Sequence, residues 1–222
     1  MLLKKIIELR DYRNKINKYS KFYFKNKKYT MIDKKTYINN LKIAEKAKKI
    51  DGDIVECGVW RGGMIAGIAE LIGAKSKYFL YDSFEGLPEA KEIDGQSALN
   101  WQNDVGGEHY YDNCKAEINY ANEAMSTTGV DFELIKGWFD ATVPSNKHDK
   151  ISLLRLDADW YDSTMICLQH LFPKVVKGGI IIIDDYYVWE GCSKAVHDYL
   201  SEIKSNCRIY QMDNRVAYII KN

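Results

Sequence analysis

Five short apolar runs, spread over residues 54–183 and separated by helix-length stretches, constrain this chain more than any other feature. They are Ile54–Cys57, Tyr78–Tyr81, Phe132–Ile135, Ile151–Leu156 and Ile180–Ile183. Each is short and nearly continuous in apolar character, as strands covered on both faces are. Helical stretches are expected at Gly62–Ile72, Tyr111–Ser126, Ser163–Val176 and Cys192–Ser205. This alternation predicts an α/β fold, a parallel sheet with helices on both faces. Near the end, "RIYQMD" and "VAYIIK" are separated only by Asn214 and Arg215, which predicts an antiparallel hairpin on the same sheet.

The 222 residues suffice for one domain with a short appendage. A net charge of +1 conceals an asymmetry: residues 1–50 hold 16 Lys and Arg against 4 Asp and Glu, and the remainder holds 16 against 27. The basic head suits a phosphate-bearing substrate, an anionic membrane surface or nucleic acid. The plainer alternative is a solvated helical face packed on the acidic body or on another subunit. Nucleic acid is disfavoured because no recognised binding motif accompanies the charge. Within the head, residues 1–28 read as a basic, Tyr-rich helix or pair of helices. A second helix carries Ile38, Leu41, Ile43, Ala44 and Ala47 on one face, with Asp33 as its N-cap.

Lys4, Lys5, Glu8 and Arg10 interrupt the apolar start, and no run approaches the roughly 20 apolar residues of a membrane span. Five cysteines form an odd set without a CxxC pair, read as reduced thiols rather than disulfides or zinc ligands. A cytoplasmic setting is therefore expected. Residues 89–110 are polar, contain Gly95, Gly106 and Gly107 and exceed an ordinary connection; with Trp101 and His109 inside, they read as a lid.

The chemistry lies where the strands end, since open α/β sheets bind ligands outside the carboxyl ends of their strands. After the first strand, "ECGVWRGG" places Gly58 in a tight turn, Gly62 and Gly63 at a helix start, and Glu56 at the strand end. This spacing departs from GxGxxG, which disfavours an NAD-dependent oxidoreductase. An acid there suits an amine-bearing ligand better than a pyrophosphate. The second strand ends at Asp82, placed to accept from ribose hydroxyls; a turn cap through Asp82 or Ser83 is the simpler use. Together the two acids favour a nucleoside without a pyrophosphate, and S-adenosylmethionine fits. "LLRLDAD" and "IIIIDDYY" then end two strands in Asp157, Asp159, Asp184 and Asp185. Strands about 4.8 Å apart would crowd these carboxylates. A divalent cation with oxygen ligands, Mg²⁺, Ca²⁺ or Mn²⁺, relieves that crowding, and helix capping is the alternative.

The ordered set "ECGVWRGG", "YDSFEGLP", "KGWFDATVP", "LLRLDADWYDST" and "KGGIIIIDDY" resembles the macrocin O-methyltransferase family, from about Tyr29 to Val196. The resemblance implies a Rossmann-like class I methyltransferase: a mostly parallel seven-stranded sheet with an antiparallel C-terminal strand. It also implies S-adenosylmethionine- and divalent-metal-dependent methylation of a sugar hydroxyl. By position, Asp157, Asp184 and Asp185 correspond to metal ligands, with Mg²⁺ or Mn²⁺ as the ion, and Asp159 to the general base. Glu56, Gly58, Asp82 and Ser83 correspond to cofactor-contacting positions, and Gly137 and Trp138 to the adenine side. Met64 departs from the small polar residue expected at its position, and neither the lid nor the basic head aligns.

The expected organisation is a basic helical extension over residues 1–50 and a methyltransferase domain over residues 51–222, with the lid near 89–110. The expected partner is a small sugar-type acceptor, free or phosphate-linked, with peripheral membrane contact through the head and assembly into a homo-oligomer as further expectations. Two rivals stand beside this reading. A catechol-type methyltransferase would show a flat, aromatic-walled acceptor pocket, and a non-catalytic cofactor-binding subunit would have no use for four clustered acids.

Overall fold

A computed structural model describes residues 18–108 and 110–222; residues 1–17 of the basic head and His109 of the lid lie outside the described residues. The five apolar runs form strands β1 (Asp53–Cys57), β2 (Tyr78–Asp82), β3 (Phe132–Lys136), β4 (Ile151–Leu156) and β5 (Val175–Ile183). β6 (Ile209–Gln211) and β7 (Ala217–Ile220) form the expected hairpin. The strand order is β3-β2-β1-β4-β5-β7-β6. β1 to β5 run parallel, and β7 is antiparallel to both β5 and β6. The order reverses between β1 and β4, so a crevice opens where both strands end.

Side chains alternate across the sheet. Ile54, Leu80, Leu153, Ile180 and Ile182 point into one core with α2 (Lys34–Ala44), α3 (Gly63–Ile72) and α5 (Ile118–Ser126). Val55, Tyr81, Leu154, Ile181 and Ile183 point into the other, with α7 (Tyr161–Leu171) and α8 (Glu190–Glu202). A helix over residues 18–26, α1, joins the first core through Tyr19 and Phe22. The head therefore packs on the body over its described part. Lys25 pairs with Glu70 at 2.6 Å and Lys28 with Glu123 at 2.9 Å. Asp33 caps α2 as expected, accepting from the backbone N–H of Lys35 and Thr36. Tyr37 crosses to α3, donates its hydroxyl to the Gly63 carbonyl at 2.8 Å and fills the space that a side chain at Gly67 would need. Among the described residues no helix is long and apolar enough to cross a membrane.

Two expectations change. The helix expected from Tyr111 begins at Ile118, because Tyr111, Asp112, Asn113 and Cys114 all take positive φ. The helix expected to reach Val176 stops at Leu171, where Phe172–Lys174 form a tighter turn around Pro173. Strand β5 then starts at Val175, five residues before its apolar run, and shifts register against β4 between Ile151 and Leu153. The polar segment expected as a lid, described without His109, holds a turn at Glu92–Asp94 and a helix, α4 (Gln96–Asn103), which meet the start of α8 at Glu190 and Gly191.

Gly58 leaves β1 at φ 86°, and a Cβ there would lie 1.7 Å from the Asp157 carbonyl oxygen. Gly58→Ala should therefore destabilise the protein by about 1–3 kcal/mol through overpacking at the β1–β4 switch. Chemical denaturation measures it; an unchanged midpoint would show that the two strand ends are not held this close.

Candidate active site

The site is built around one cation. Arg155 lies on the α2 face of β4, directly opposite Glu56 in the β1–β4 register. Both side chains are 1% exposed. Nη1 donates to Glu56 Oε1 at 2.8 Å and to Asp157 Oδ2 at 3.0 Å. Nη2 sits 2.9 Å from Asp184 Oδ1, and Nε donates to Asn40 Oδ1 at 3.1 Å. Asn40, from α2, also donates to Asp184 Oδ1 at 2.8 Å. Burial favours the neutral form of Arg155, but the Asp184, Asp157 and Glu56 charges overcome that and hold the guanidinium firmly protonated.

One cation does not balance the acids beside it. Asp157, Asp184 and Asp185 each direct an oxygen to a common point, all within 4.8 Å of one another. Asp159 adds a fourth carboxylate; its backbone N–H reaches Asp185 Oδ2 at 3.4 Å and its Oδ1 accepts from Trp189 Nε1 at 2.9 Å. Burial, then the neighbouring aspartates, hold Asp159 and Asp185 well above the usual carboxylate pKa. Burial also raises Asp184, with Arg155 and Asn40 opposing it. An all-oxygen set crowded in this way fits a hard divalent ion such as Mg²⁺ or Mn²⁺.

The glycine turn and Asp82 form the adjoining wall. Asp82 Oδ2 accepts from the N–H groups of Val59 and Trp60 at 2.6 and 2.8 Å, and Oδ1 from Phe84 at 2.6 Å. Three of its roughly four acceptor positions are therefore used in holding the two strand-end turns together. Burial raises its pKa against these three bonds. Ser83 closes the second turn, donating to the Gly86 carbonyl and accepting from Glu85 N–H. Gly137 N–H bonds the Asp82 carbonyl at 2.9 Å, which brings Trp138 to the cleft with 39% of its surface exposed.

Two adjoining chambers share Gly58, Asp82, Gly86, Leu87 and Asp157. The smaller, about 370 Å³, is lined by Ser83, Trp138, Phe139, Ala158 and Ile166 among others. The larger, about 580 Å³, holds Asp157, Asp159, Asp184, Asp185 and Arg155, with Tyr29–Asp33 and Arg215 at its edge. Trp101 of α4 and Trp189 line it with ring centres 5.9 Å apart, and Trp160, which lines the smaller chamber, lies 6.2 Å from Trp101. The segment before α4 is fastened below, where Asp94 accepts from the Tyr161 and Lys91 N–H groups, both at 2.7 Å. Met64 lines the larger chamber, where a small polar residue was expected.

The structure thus gathers Gly58, Asp82, Asp157, Asp159, Asp184 and Asp185 on one cleft, with Ser83 and Trp138 in its smaller chamber. Glu56 is a correction. Expected to face a ligand, it is fully buried beneath the chamber floor with Oε1 on Arg155. Burial pushes its pKa up to about 8 with Arg155 opposing. Arg155 and Asn40 went unnoticed in the sequence; the signal available was a lone arginine inside an apolar strand.

The described geometry is matched by kinship. Residues 16–221 match the macrocin-O-methyltransferase (TylF) family. The chain belongs to that family. It is an O-methyltransferase, and S-adenosylmethionine is its methyl donor. The demethyldecarbamoylnovobiocin O-methyltransferase of Streptomyces niveus is 32% identical over 200 residues, covering 86% of this chain and 74% of the relative. The 8-demethyl-8-(2,3-dimethoxy-alpha-L-rhamnosyl)-tetracenomycin-C 4'-O-methyltransferase of Streptomyces olivaceus is 34% identical over 161 residues, covering 69% of this chain and 59% of the relative. The solved structure of the O-methyltransferase NovP superposes with a TM-score of 0.73 at 27% identity, over 87% of this chain and 82% of that one.

The buried acids make stability depend on pH in a defined sense. Folded pKa values of Glu56, Asp159, Asp184 and Asp185 lie above their unfolded values near 4. Their stabilising contribution is complete below that value and is lost as pH rises through the folded values, about 8 for Glu56. In EDTA, the melting temperature should fall between about pH 5 and pH 8 by at least about 2–4 °C, the shift that about 1 kcal/mol produces at this chain length. A flat or rising profile over that window would contradict the assignment.

Proposed function

We propose that this enzyme methylates a hydroxyl of a sugar or sugar-containing acceptor, with a divalent cation, Mg²⁺ or Mn²⁺, on Asp157, Asp184 and Asp185. The observation that carries the reading is the meeting of the two chambers at Gly58, Asp82 and Asp157. One is a narrow chamber with an aromatic mouth, of a kind that takes a nucleoside. The other is a roomy chamber lined with acids. Trp138 and Phe139 would flank the adenine, Asp82 has one acceptor position left for a ribose hydroxyl, and the bare turn at Gly58 leaves room for the methionine portion.

When bound, the cation supplies Lewis acidity toward the acceptor hydroxyl. The chain's residues do the rest. Arg155 and Asn40 fix the Asp157 and Asp184 carboxylates from below, so that their remaining oxygens face the chamber. Trp189 holds Asp159 by Oδ1, leaving Oδ2 to take the hydroxyl proton. The lid helix with Trp101 covers the chamber and restricts water. Because the donor brings an already activated methyl group, positioning supplies most of the acceleration. In this reading residues 51–222 carry the transfer chemistry, and residues 1–50 are an extension whose 29–33 segment completes one wall.

The indoles of Trp101 and Trp189 in the larger chamber favour a second reading, an aromatic diol acceptor. The sugar reading ranks first because four carboxylates suit an acceptor rich in hydroxyls, and because the Streptomyces olivaceus relative is named for a rhamnosyl-bearing compound.

Calorimetry should show S-adenosylmethionine binding and a separate Mg²⁺ or Mn²⁺ heat that Asp184→Ala removes. In turnover assays over sugar nucleotides, glycosides and catechols, Asp159→Asn should keep the metal heat and lower kcat by about 10²–10⁴-fold. Near-normal turnover by Asp159→Asn would remove the base from the scheme, and wild type without a metal heat would remove the cation.

A further inference from the structure

The larger chamber holds a cation that neither the donor nor the acid cluster uses. Arg215 sits on the β6–β7 turn, exposed and lining the chamber edge. The turn is held from three sides. Asp213 Oδ1 accepts from the N–H groups of Arg215 and Val216, both at 2.9 Å, and Asn39 of α2 donates to Asp213 Oδ2 at 2.7 Å. Tyr187, just past the β5 acids, donates its N–H to the Arg215 carbonyl at 3.2 Å. A well-fixed backbone thus presents a guanidinium that has no hydrogen-bond or ion-pair partner within 4 Å among the described residues. Its field reaches Asp33, which is already engaged in capping α2.

Position separates Arg215 from the donor. Ala217 pairs with Ile183, so the turn stands level with Asp184 and Asp185, one strand spacing of about 4.8 Å away. The glycine turn after β1 lies three spacings off, about 14 Å, across β4 and β5. Arg215 therefore faces the acceptor end of the cleft. The acids inside repel an anionic molecule, and a lone arginine at the mouth offers one place where such a molecule is attracted. Lys35, exposed on the first turn of α2, adds positive field at Asp213. Arg binds phosphate oxygens through paired N–H groups, a geometry that a point charge does not match.

Resting on the sugar-methylation reading, we propose that the acceptor is a sugar phosphoester: its neutral hydroxyls face Asp157, Asp159, Asp184 and Asp185, and its phosphate is held by Arg215. The phosphate could belong to a nucleoside diphosphate or to a lipid diphosphate; the recognition chemistry is the same.

The test is calorimetric titration of inorganic pyrophosphate into the full chain saturated with S-adenosylhomocysteine, in EDTA so that no metal bridges the anion to the aspartates. Wild type should bind, Arg215→Gln should bind at least about 10-fold more weakly, and Arg215→Lys should fall between, as a point charge replacing a fork does. Repeating the titration with uridine diphosphate and with farnesyl diphosphate tells the sources apart, since the true one binds more tightly than pyrophosphate. Absent pyrophosphate binding, or equal binding by Arg215→Gln, overturns the proposal. So does a loss of S-adenosylhomocysteine affinity in Arg215→Gln, which would give the arginine to the donor. Retained S-adenosylhomocysteine binding in the same samples separates that failure from a failure of the methyltransferase reading.

Discussion

The contact between Arg155 and the carboxylates around it is the constraint from which the rest of the site follows. A fully buried guanidinium is tolerable only when paired and hydrogen-bonded, and removing one partner of such a pair typically costs about 3–5 kcal/mol. Here the partners come from β1, β4 and β5 and from α2, through Glu56, Asp157, Asp184 and Asn40. The sheet register, the position of α2 and the orientation of the acids are thus tied to one side chain. Strand parity makes this arrangement, because Glu56 and Arg155 face each other on the same side of the sheet while Val55 and Leu154 face the opposite core.

That tie leaves the acids above Arg155 in unequal states. Asp157 and Asp184 have a counter-charge below them, whereas Asp185 and Asp159 rely on each other's neighbours, one N–H and one indole. Asp159 also stands at φ 55°, a strained backbone for a residue with a side chain. The strain is held by its surroundings: Asp159 is bonded to Trp189, Trp189 packs on Trp160 at 5.2 Å, and Trp160 donates to the Pro88 carbonyl at 2.9 Å. Asp159, the indoles of Trp189 and Trp160 and the Pro88 backbone are thus one connected assembly.

What could be read in the sequence was whatever repeats locally. The apolar runs revealed the strands, and the acids that end them revealed the strand ends as the place for chemistry. The partner of Glu56 was hidden because it lies 99 residues away, and nothing local sets the β1–β4 register. Asp82 shows both of its readings at once, tied to the turns yet open to the cleft. α4 was concealed by its composition: Ala98 is its one buried residue, and Trp101 covers the site from a helix that is otherwise polar. The start of α5 was misplaced because four consecutive left-handed residues leave no mark in hydrophobic periodicity. The Lys-rich head looked available for an anionic partner, but Lys25 and Lys28 find theirs on α3 and α5, which only the tertiary structure brings near.

In the proposed scheme Asp157, Asp184 and Asp185, braced by Arg155, form a cation site where the two chambers meet. Anomalous scattering from crystals grown with Mn²⁺ and S-adenosylhomocysteine tests it most directly. The account predicts one manganese peak bound by oxygens of these three aspartates, beside a nucleoside in the chamber of Trp138. A manganese peak elsewhere, or a filled nucleoside chamber with no metal at the aspartates, would contradict it.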